Sequence, residues 1–396
     1  METFKKPRCE LEQEKIEKLI ELEQQPMVIG IEGGPCGGKT TFVESLEAFE
    51  TDKPIIILPE AATRVAGEYQ KNGIDVMKRM KTDEQLFIRF ETDVQDLTDY
   101  QIERARNKYF GTGAVIVSDR VDIGGYIDMA KYLQILERAG RSQPGMFDNV
   151  DQILYFPTVA RKDPAAYMRL RESNPIRKET AQEAVAVCDR LMASVSRHPE
   201  FHYLDAGDFK STLSAARGYI FNRDHKYKRS GCLIGDYGQV DRLIARKVNG
   251  GLMLGTSEVY QEFTELEGGW KYKLKCELLD SSHSFCRRSV QFRDPYRGQE
   301  IDRTISRQDY LQLKGEDSKD EVAKIRHKFL HTDEASGVTD IWILEHLHVK
   351  GADFGWVFEV QRSSDESLAE LKPPFEVFVD NDRPKLEVAR AALMFA

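Results

Sequence analysis

The sequence predicts an α/β domain built on a parallel sheet, followed by a β-rich antiparallel domain. Three observations predict it. Apolar runs alternate with helix-like stretches through the first half, a Gly-x-x-x-x-Gly-Lys-Thr turn closes the first of those runs, and period-two strand patterns fill the second half.

The chain has 396 residues, 41% of them hydrophobic, and a net charge of −9. That length suits two domains of about 150–220 residues. The composition divides it into an N-terminal helix (1–25), an α/β domain (26–222) and an antiparallel domain (223–396). The acidic balance argues against wholesale nucleic-acid coating, so no nucleic-acid partner is expected. Cysteines at 9, 36, 188, 232, 276 and 286 form no Cys-x-x-Cys pair and read as reduced thiols. No apolar run reaches membrane-spanning length, and Met1–Arg8 is polar without a signal-peptide core, so a cytoplasmic location is expected.

In chain order, Cys9–Gln25 spaces Leu11, Ile16, Leu19, Ile20 and Leu22 as an amphipathic helix expected to pack on the first domain. Strand-like runs follow at Met27–Ile31, Ile55–Leu58, Ala114–Val117, Ile153–Phe156 and Phe201–Leu204, with a long charged helix over Lys81–Lys108. The rhythm breaks at the polar, basic stretch near 223–240, which reads as a linker. Beyond it, strand patterns are separated by turns at Asn249-Gly250-Gly251, Gly268-Gly269 and Arg293–Gly298.

The turn Gly33-Gly34-Pro35-Cys36-Gly37-Gly38-Lys39-Thr40-Thr41 sits between a strand pattern and a helix pattern. Glycines let successive N–H groups face one phosphate, Lys39 adds a full charge for the β/γ-phosphates, and the Thr40 hydroxyl suits Mg²⁺. The turn therefore points to ATP or GTP as ligand. An Asn-Lys-x-Asp guanine-reading motif is absent, since Asn107-Lys108-Tyr109-Phe110 lacks the final Asp. In an open parallel sheet, ligands gather at the carboxyl ends of the strands. The second strand ends in Leu58-Pro59-Glu60, placing Glu60 to take a proton from an attacking hydroxyl or water; a capping or salt-bridging carboxylate is the plainer alternative. The third ends in Ser118-Asp119-Arg120, an apolar strand with a terminal Asp for Mg²⁺ and an Arg for phosphate or acceptor. The cation-rich, Pro-containing stretch 161–179 suits a lid, with Arg171 and Arg177 as its charge-stabilising members, or a solvated basic face.

These motifs, with Pro59-Glu60-Ala-Ala-Thr63-Arg64, resemble the small AAA-like ATPase family that includes the nicotinamide-riboside kinase domain, and more closely the TRPL translocation defect family. The likeness spans roughly residues 26–220. It implies a kinase-type P-loop fold with Glu60 and Asp119 at the reaction centre and an arginine lid.

In the second half, Lys271-Tyr-Lys273-Leu-Lys275 and Lys324-Ile-Arg326-His-Lys328 place cations two residues apart, and Arg242 and Arg246 lie four apart. A period of two puts such residues on one strand face, and a shared basic face calls for a polyanion, unless each is only an exposed lysine face. Glu345 and Glu359, on neighbouring strand patterns, are candidate metal carriers. With Glu300–Tyr310, which contains Arg303, and Phe378–Pro384, these segments resemble the CYTH, or triphosphate-tunnel, superfamily over about residues 225–390. The resemblance implies an eight-stranded barrel whose basic lining grips triphosphate or polyphosphate beside a divalent metal. The Glu-x-Glu-x-Lys signature that opens that fold is missing, which suits a tunnel for phosphorylated ligands or a phosphoinositide head group better than a triphosphatase.

The combined expectation is a Mg²⁺-dependent ATP- or GTP-binding protein with kinase-like or NTPase activity and a basic barrel for phosphorylated anions. Two alternatives stand beside it: a nucleotide-gated phosphoinositide- or polyphosphate-binding trafficking regulator with peripheral membrane contact, and an inorganic triphosphatase in the barrel.

Overall fold

The computed structural model describes residues 8–47, 51, 53–79, 82–121, 129–138, 140, 149–172, 179–205, 208–221, 233–234, 253–278, 286–293, 295–296, 300–314, 320–332, 339–349 and 352–361. The chain divides into two compact units: an α/β unit of residues 26–226 and 334–339, and an antiparallel unit of residues 1–25, 227–333 and 340–396.

In the α/β unit, short apolar runs form parallel strands β1 (Met27–Gly33), β2 (Ile55–Leu58), β3 (Val115–Asp119), β4 (Gln152–Phe156) and β5 (Phe201–Tyr203), in the order β2-β3-β1-β4-β5. The middle strands β1 and β4 are buried along their whole length, as strands covered by helices on both faces must be. The register aligns Ile31 with Asp119 and Gly33 with Phe156, so the carboxyl ends of β1, β3 and β4 lie side by side. Chain direction switches to either side of β1, the point where open α/β sheets hold ligands. Helices α2 (Lys39–Glu47), α3 (Ala61–Lys71), α4 (Val76–Arg79), α5 (Glu84–Lys108), α6 (Met129–Arg138), α7 (Pro164–Glu172), α8 (Ala181–Val195) and α9 (Phe209–Phe221) complete the unit. Phe42 and Leu46 of α2 and Ala216 and Ile220 of α9 join Ile29, Ile31, Val117, Leu154 and Phe156 in one core. Helix α5 begins at Glu84 rather than Lys81 because the Asp83 carboxylate caps it, accepting from the Leu86 N–H at 3.0 Å.

The antiparallel unit contains α1 (Arg8–Gln24), β6 (Leu233–Ile234), β7 (Met253–Glu265), β8 (Lys271–Leu278), β9 (Cys286–Arg293), β10 (Glu300–Thr304), α10 (Arg307–Leu313), β11 (Asp320–Thr332), β12 (Thr339–Val349) and β13 (Ala352–Gln361). The strands form one 8-stranded sheet in the order β10-β9-β8-β7-β11-β12-β13-β6. Among the described residues, β10 and β6 are the ends of that order and no pairing joins them. Gly268 and Gly269, both at positive φ, turn the chain from β7 to β8.

Helix α1, which the sequence assigned to the α/β domain, belongs instead to the core of the antiparallel unit. Its Leu19 and Leu22 are buried with Trp270, Tyr272, Leu274, Val290, Phe292 and Leu313, and Lys18 pairs with Asp309 of α10 at 2.6 Å. An amphipathic pattern shows that a helix has an apolar face but not which surface will cover it. The even-numbered residues Tyr272 and Leu274 of β8 supply an apolar surface, and α1 covers it together with α10. The expectation of thiols throughout is corrected at Cys276, which stands in a disulfide, while Cys9, Cys36 and Cys188 are free. A bridge needs segments brought together by the fold, not a Cys-x-x-Cys spacing.

Leu22→Ala is therefore expected to destabilise the antiparallel unit by about 3 kcal/mol. Hydrogen exchange should quicken in β8 and β9 and stay unchanged in β1 and β3.

Candidate functional site: the phosphate loop and a buried charged face

The phosphate loop leaves β1 at Gly33, whose φ is +142°, and a Cβ there would sit 2.0 Å from the Phe156 carbonyl oxygen. Only glycine fits. The Gly34 N–H donates to that same Phe156 oxygen at 3.0 Å, and the Thr158 hydroxyl donates to the Pro35 carbonyl at 2.6 Å, so the end of β4 anchors the loop. Cys36 takes a left-handed φ of 52°, uncommon for a residue with a side chain. Gly37 donates its N–H to Gly34 at 3.2 Å. The Lys39 ammonium folds into its own loop, donating to the Gly33 and Gly34 carbonyls at 2.6 and 3.2 Å. Thr40 and Thr41 open α2 with exposed side chains.

The ends of β2 and β3 complete this region. Glu60 precedes α3; its carboxylate accepts from the Thr63 hydroxyl at 2.6 Å and pairs with Arg120 Nε at 3.5 Å. Arg120 is left-handed at φ 68°, with its N–H donating to Ile31 at 3.0 Å. The buried Glu32 carboxylate holds the next residue, accepting from the Val121 N–H at 2.7 Å. This double tie to β1 fixes Asp119 at the mouth of the sheet. Burial pushes the Asp119 carboxyl above its usual range, against the pull of Lys39 and Arg120, while Glu60 adds repulsion. Its Oδ1 is buried without a hydrogen-bond donor, which fits a carboxylate built to meet a cation or its water. Lys39, Glu60, Asp119 and Arg120 are thus one electrostatic group around the loop.

Residues 28–211 match the family model of the AAA domain. The α/β unit is an AAA-type P-loop NTPase domain. Among solved structures, the crystal structure of the hypothetical protein NE1496 is similar at 14% identity over 32% of this chain and 80% of that chain, with a TM-score of 0.22. No curated protein matches the chain.

Around the AAA domain's loop the structure adds residues that no motif announced. Phe209, first in α9, is 47% exposed and covers Gly38, where a Cβ would lie 2.2 Å from its ring. Cys188 of α8 backs Gly34, and the buried Tyr155 hydroxyl donates to the Cys188 carbonyl. The cation-rich stretch read as a lid is a packed element as far as Glu172. Pro164 opens α7, and Tyr167 is buried against Ala160 and Ala184. Arg161 and Lys162 pair with Asp189 and Asp205, and Arg171 donates to the Glu179 carbonyl at 3.3 Å. Arg177 lies outside the described residues, as do Arg242 and Arg246.

The antiparallel unit carries the second group. Five cations (Lys273, Arg287, Lys324, Arg326, Lys328) and two carboxylates (Glu277, Glu345) are only 2–8% exposed. Registry places them on one face: Lys273 pairs with Gln291, Glu277 with Arg287, and Arg326 with Ser257. Glu345 accepts from Lys324 at 2.7 Å through one oxygen and from Arg326 Nε at 2.6 Å through the other. Glu277 accepts from Ser257 at 2.6 Å and from Arg326 at 3.4 Å, and pairs with Lys275 at 2.9 Å. Burial alone would raise both carboxyls, but Lys275, Arg326 and Lys328 around Glu277, and Lys324 and Arg326 around Glu345, hold them well below the usual range. Burial drags Lys324 down to about 8, Glu345 pulling back and Arg326 adding repulsion.

Two expected members fall elsewhere. Arg303 pairs with Val290, whose side chain is in the core under α1 and α10, so Arg303 is on the opposite face and donates to the Gln25 carbonyl at 3.4 Å. Lys271 lies at the strand end, paired with Glu265 at 3.3 Å. Glu359 pairs with Ile343 in the β12–β13 register. Among the described residues, no group of three or more His, Cys, Asp or Glu is arranged to hold a metal, and no helix is long and apolar enough to cross a membrane.

Because the fold disfavours the charged form of Asp119, that carboxylate costs stability above its raised pKa and the cost fades as pH falls through it. Asp119→Asn should raise the melting temperature at neutral pH by about 2 °C, read by scanning calorimetry.

Proposed function

We propose that the AAA domain is a Mg²⁺-dependent phosphotransferase or nucleoside triphosphatase acting on ATP or GTP, and that the charged face of the antiparallel unit binds a phosphorylated anion. The observation that carries the first part is the convergence of Lys39, Glu60, Asp119 and Arg120 on one phosphate loop. Thr40 and Asp119 would hold Mg²⁺, which supplies charge neutralisation on phosphate oxygens. Lys39, released from Gly33 and Gly34 by the incoming phosphates, would carry the charge of the β/γ-phosphates. Glu60, oriented by Thr63 and Arg120, would take the proton of an attacking hydroxyl or water. The new oxygen–γ-phosphorus bond forms as the β–γ bridge breaks, and nucleoside diphosphate leaves. Arg120 would stabilise charge on the moving group. Phe209 offers a flat apolar shelf beside the loop on which a nucleobase can stack.

For the antiparallel unit, buried cations on one sheet face and helices on the other support a sheet curled around its charged side, the arrangement of a CYTH-type tunnel. Its ligand would be a small phosphorylated anion, polyphosphate or a phosphoinositide head group. A nucleotide-gated regulator that grips such an anion is the second reading. It is favoured over a triphosphatase because Glu345, one of the two carboxylates (with Glu359) that would carry the metal, already holds two cations.

Glu60→Gln should retain nucleotide affinity and lower turnover at least about 100-fold, measured as phosphate or diphosphate release across a panel of acceptors. Turnover equal to that of the unaltered protein would remove Glu60 from the chemistry; nucleotide binding with no turnover in either would favour the gated regulator. Phe209→Ala should weaken ATP or GTP binding about tenfold by calorimetry, at the scale of one lost base–aromatic stack.

A further inference from the structure

Glu277 and Glu345, the carboxylates of the charged face whose side chains are described, are already committed. Both oxygens of Glu345 accept from cations, Lys324 on one and Arg326 on the other. One oxygen of Glu277 accepts from Ser257, and the other faces Lys275 and Arg326. A divalent metal on either carboxylate would have to break these buried pairs and sit among like charges. On this face strand β7, which lies between β8 and β11, offers no carboxylate in exchange. Ser257, Val259 and Gln261, the β7 residues in register with Arg326, Lys324 and Val322, are all neutral. On β8, Val259 and Gln261 stand opposite Glu277 and Lys275.

Resting on the reading of this face as an anion site, we propose that it binds a polyvalent phosphoanion without any divalent metal, Lys and Arg side chains neutralising the phosphates directly and Glu277 and Glu345 acting as internal counter-ions that the ligand displaces. The ligand class is an anion of three or more negative charges, as a free polyphosphate or an inositol phosphate head group. Arginine suits this task because its planar fork can leave a carboxylate for a phosphate without changing its bonding geometry. Mg²⁺ would weaken binding, because complexation removes two charges from the ligand that the cations would otherwise meet.

The test uses the full-length chain carrying Lys39→Ala, which silences the phosphate loop. Sodium tripolyphosphate and inositol 1,4,5-trisphosphate are titrated calorimetrically at pH 6.5, where Lys324 is protonated, first in EDTA and then in excess Mg²⁺. The expected result is binding in EDTA that weakens at least about threefold in Mg²⁺. The tighter of the two probes tells a free polyphosphate from a head group. Glu345→Gln, nearly isosteric, should tighten binding in EDTA at least about threefold by removing a competing charge. Binding seen only with Mg²⁺, or lost in a folded Glu345→Gln variant, overturns the proposal. If Glu345→Gln does not fold, the comparison of EDTA with Mg²⁺ decides alone. Failure of both probes to bind in either buffer overturns the anion-site reading beneath it.

Discussion

The contact of Gly33 with the Phe156 carbonyl sets the geometry of the α/β unit. No side chain fits at Gly33, so the ends of β1 and β4 close on each other and the loop has one way out of the sheet. The Gly34 N–H reaches the same carbonyl, the loop is pinned, and Lys39 starts α2 facing it. On the other side of β1, the Arg120 N–H binds Ile31 and the Val121 N–H binds Glu32, which holds Asp119 beside the loop. A central strand thus uses both neighbours to bring a cation, two carboxylates and an arginine to one point. Its burial makes the positions stiff.

The antiparallel unit applies the reverse of the usual sheet economy. One face of β8 and β9 is apolar and is covered by α1 and α10; the other buries cations with a minority of carboxylates. Burying charge is costly unless it is paired, and even then a well-packed apolar core of similar volume is often as stable. A fold that keeps such a face gives up stability that an apolar face would supply. Lys324, lowered to about 8 by burial while Glu345 pulls the other way, shows the strain. An anion would relieve it.

The strands of the α/β unit were legible to within a residue or two, since buried parallel strands are short apolar runs with nothing else to be. The phosphate loop was legible because its glycines and Lys39 serve local backbone geometry. What escaped depended on partners distant in sequence. Leu22 meets Trp270 through the fold, and no pattern within α1 names that partner. Arg303 reads as one more strand cation until its pairing with Val290 fixes its face. Glu345 was visible as a strand carboxylate, but its two cation partners depend on neighbouring strands. Phe209 carries no motif; its place over Gly38 comes from the return of the chain after β5. Glu32 looks like a stray charge in an apolar strand until Val121 supplies its donor.

The central claim is that a nucleoside triphosphate seats on the loop between β1 and α2. Calorimetric titration of ATP and of GTP, each with Mg²⁺, into the unaltered chain and into Lys39→Ala tests it most directly. The account predicts binding of at least one of the two nucleotides to the unaltered chain, and its loss when the Lys39 ammonium is removed. Equal binding to both chains, or none to the unaltered one, would contradict it.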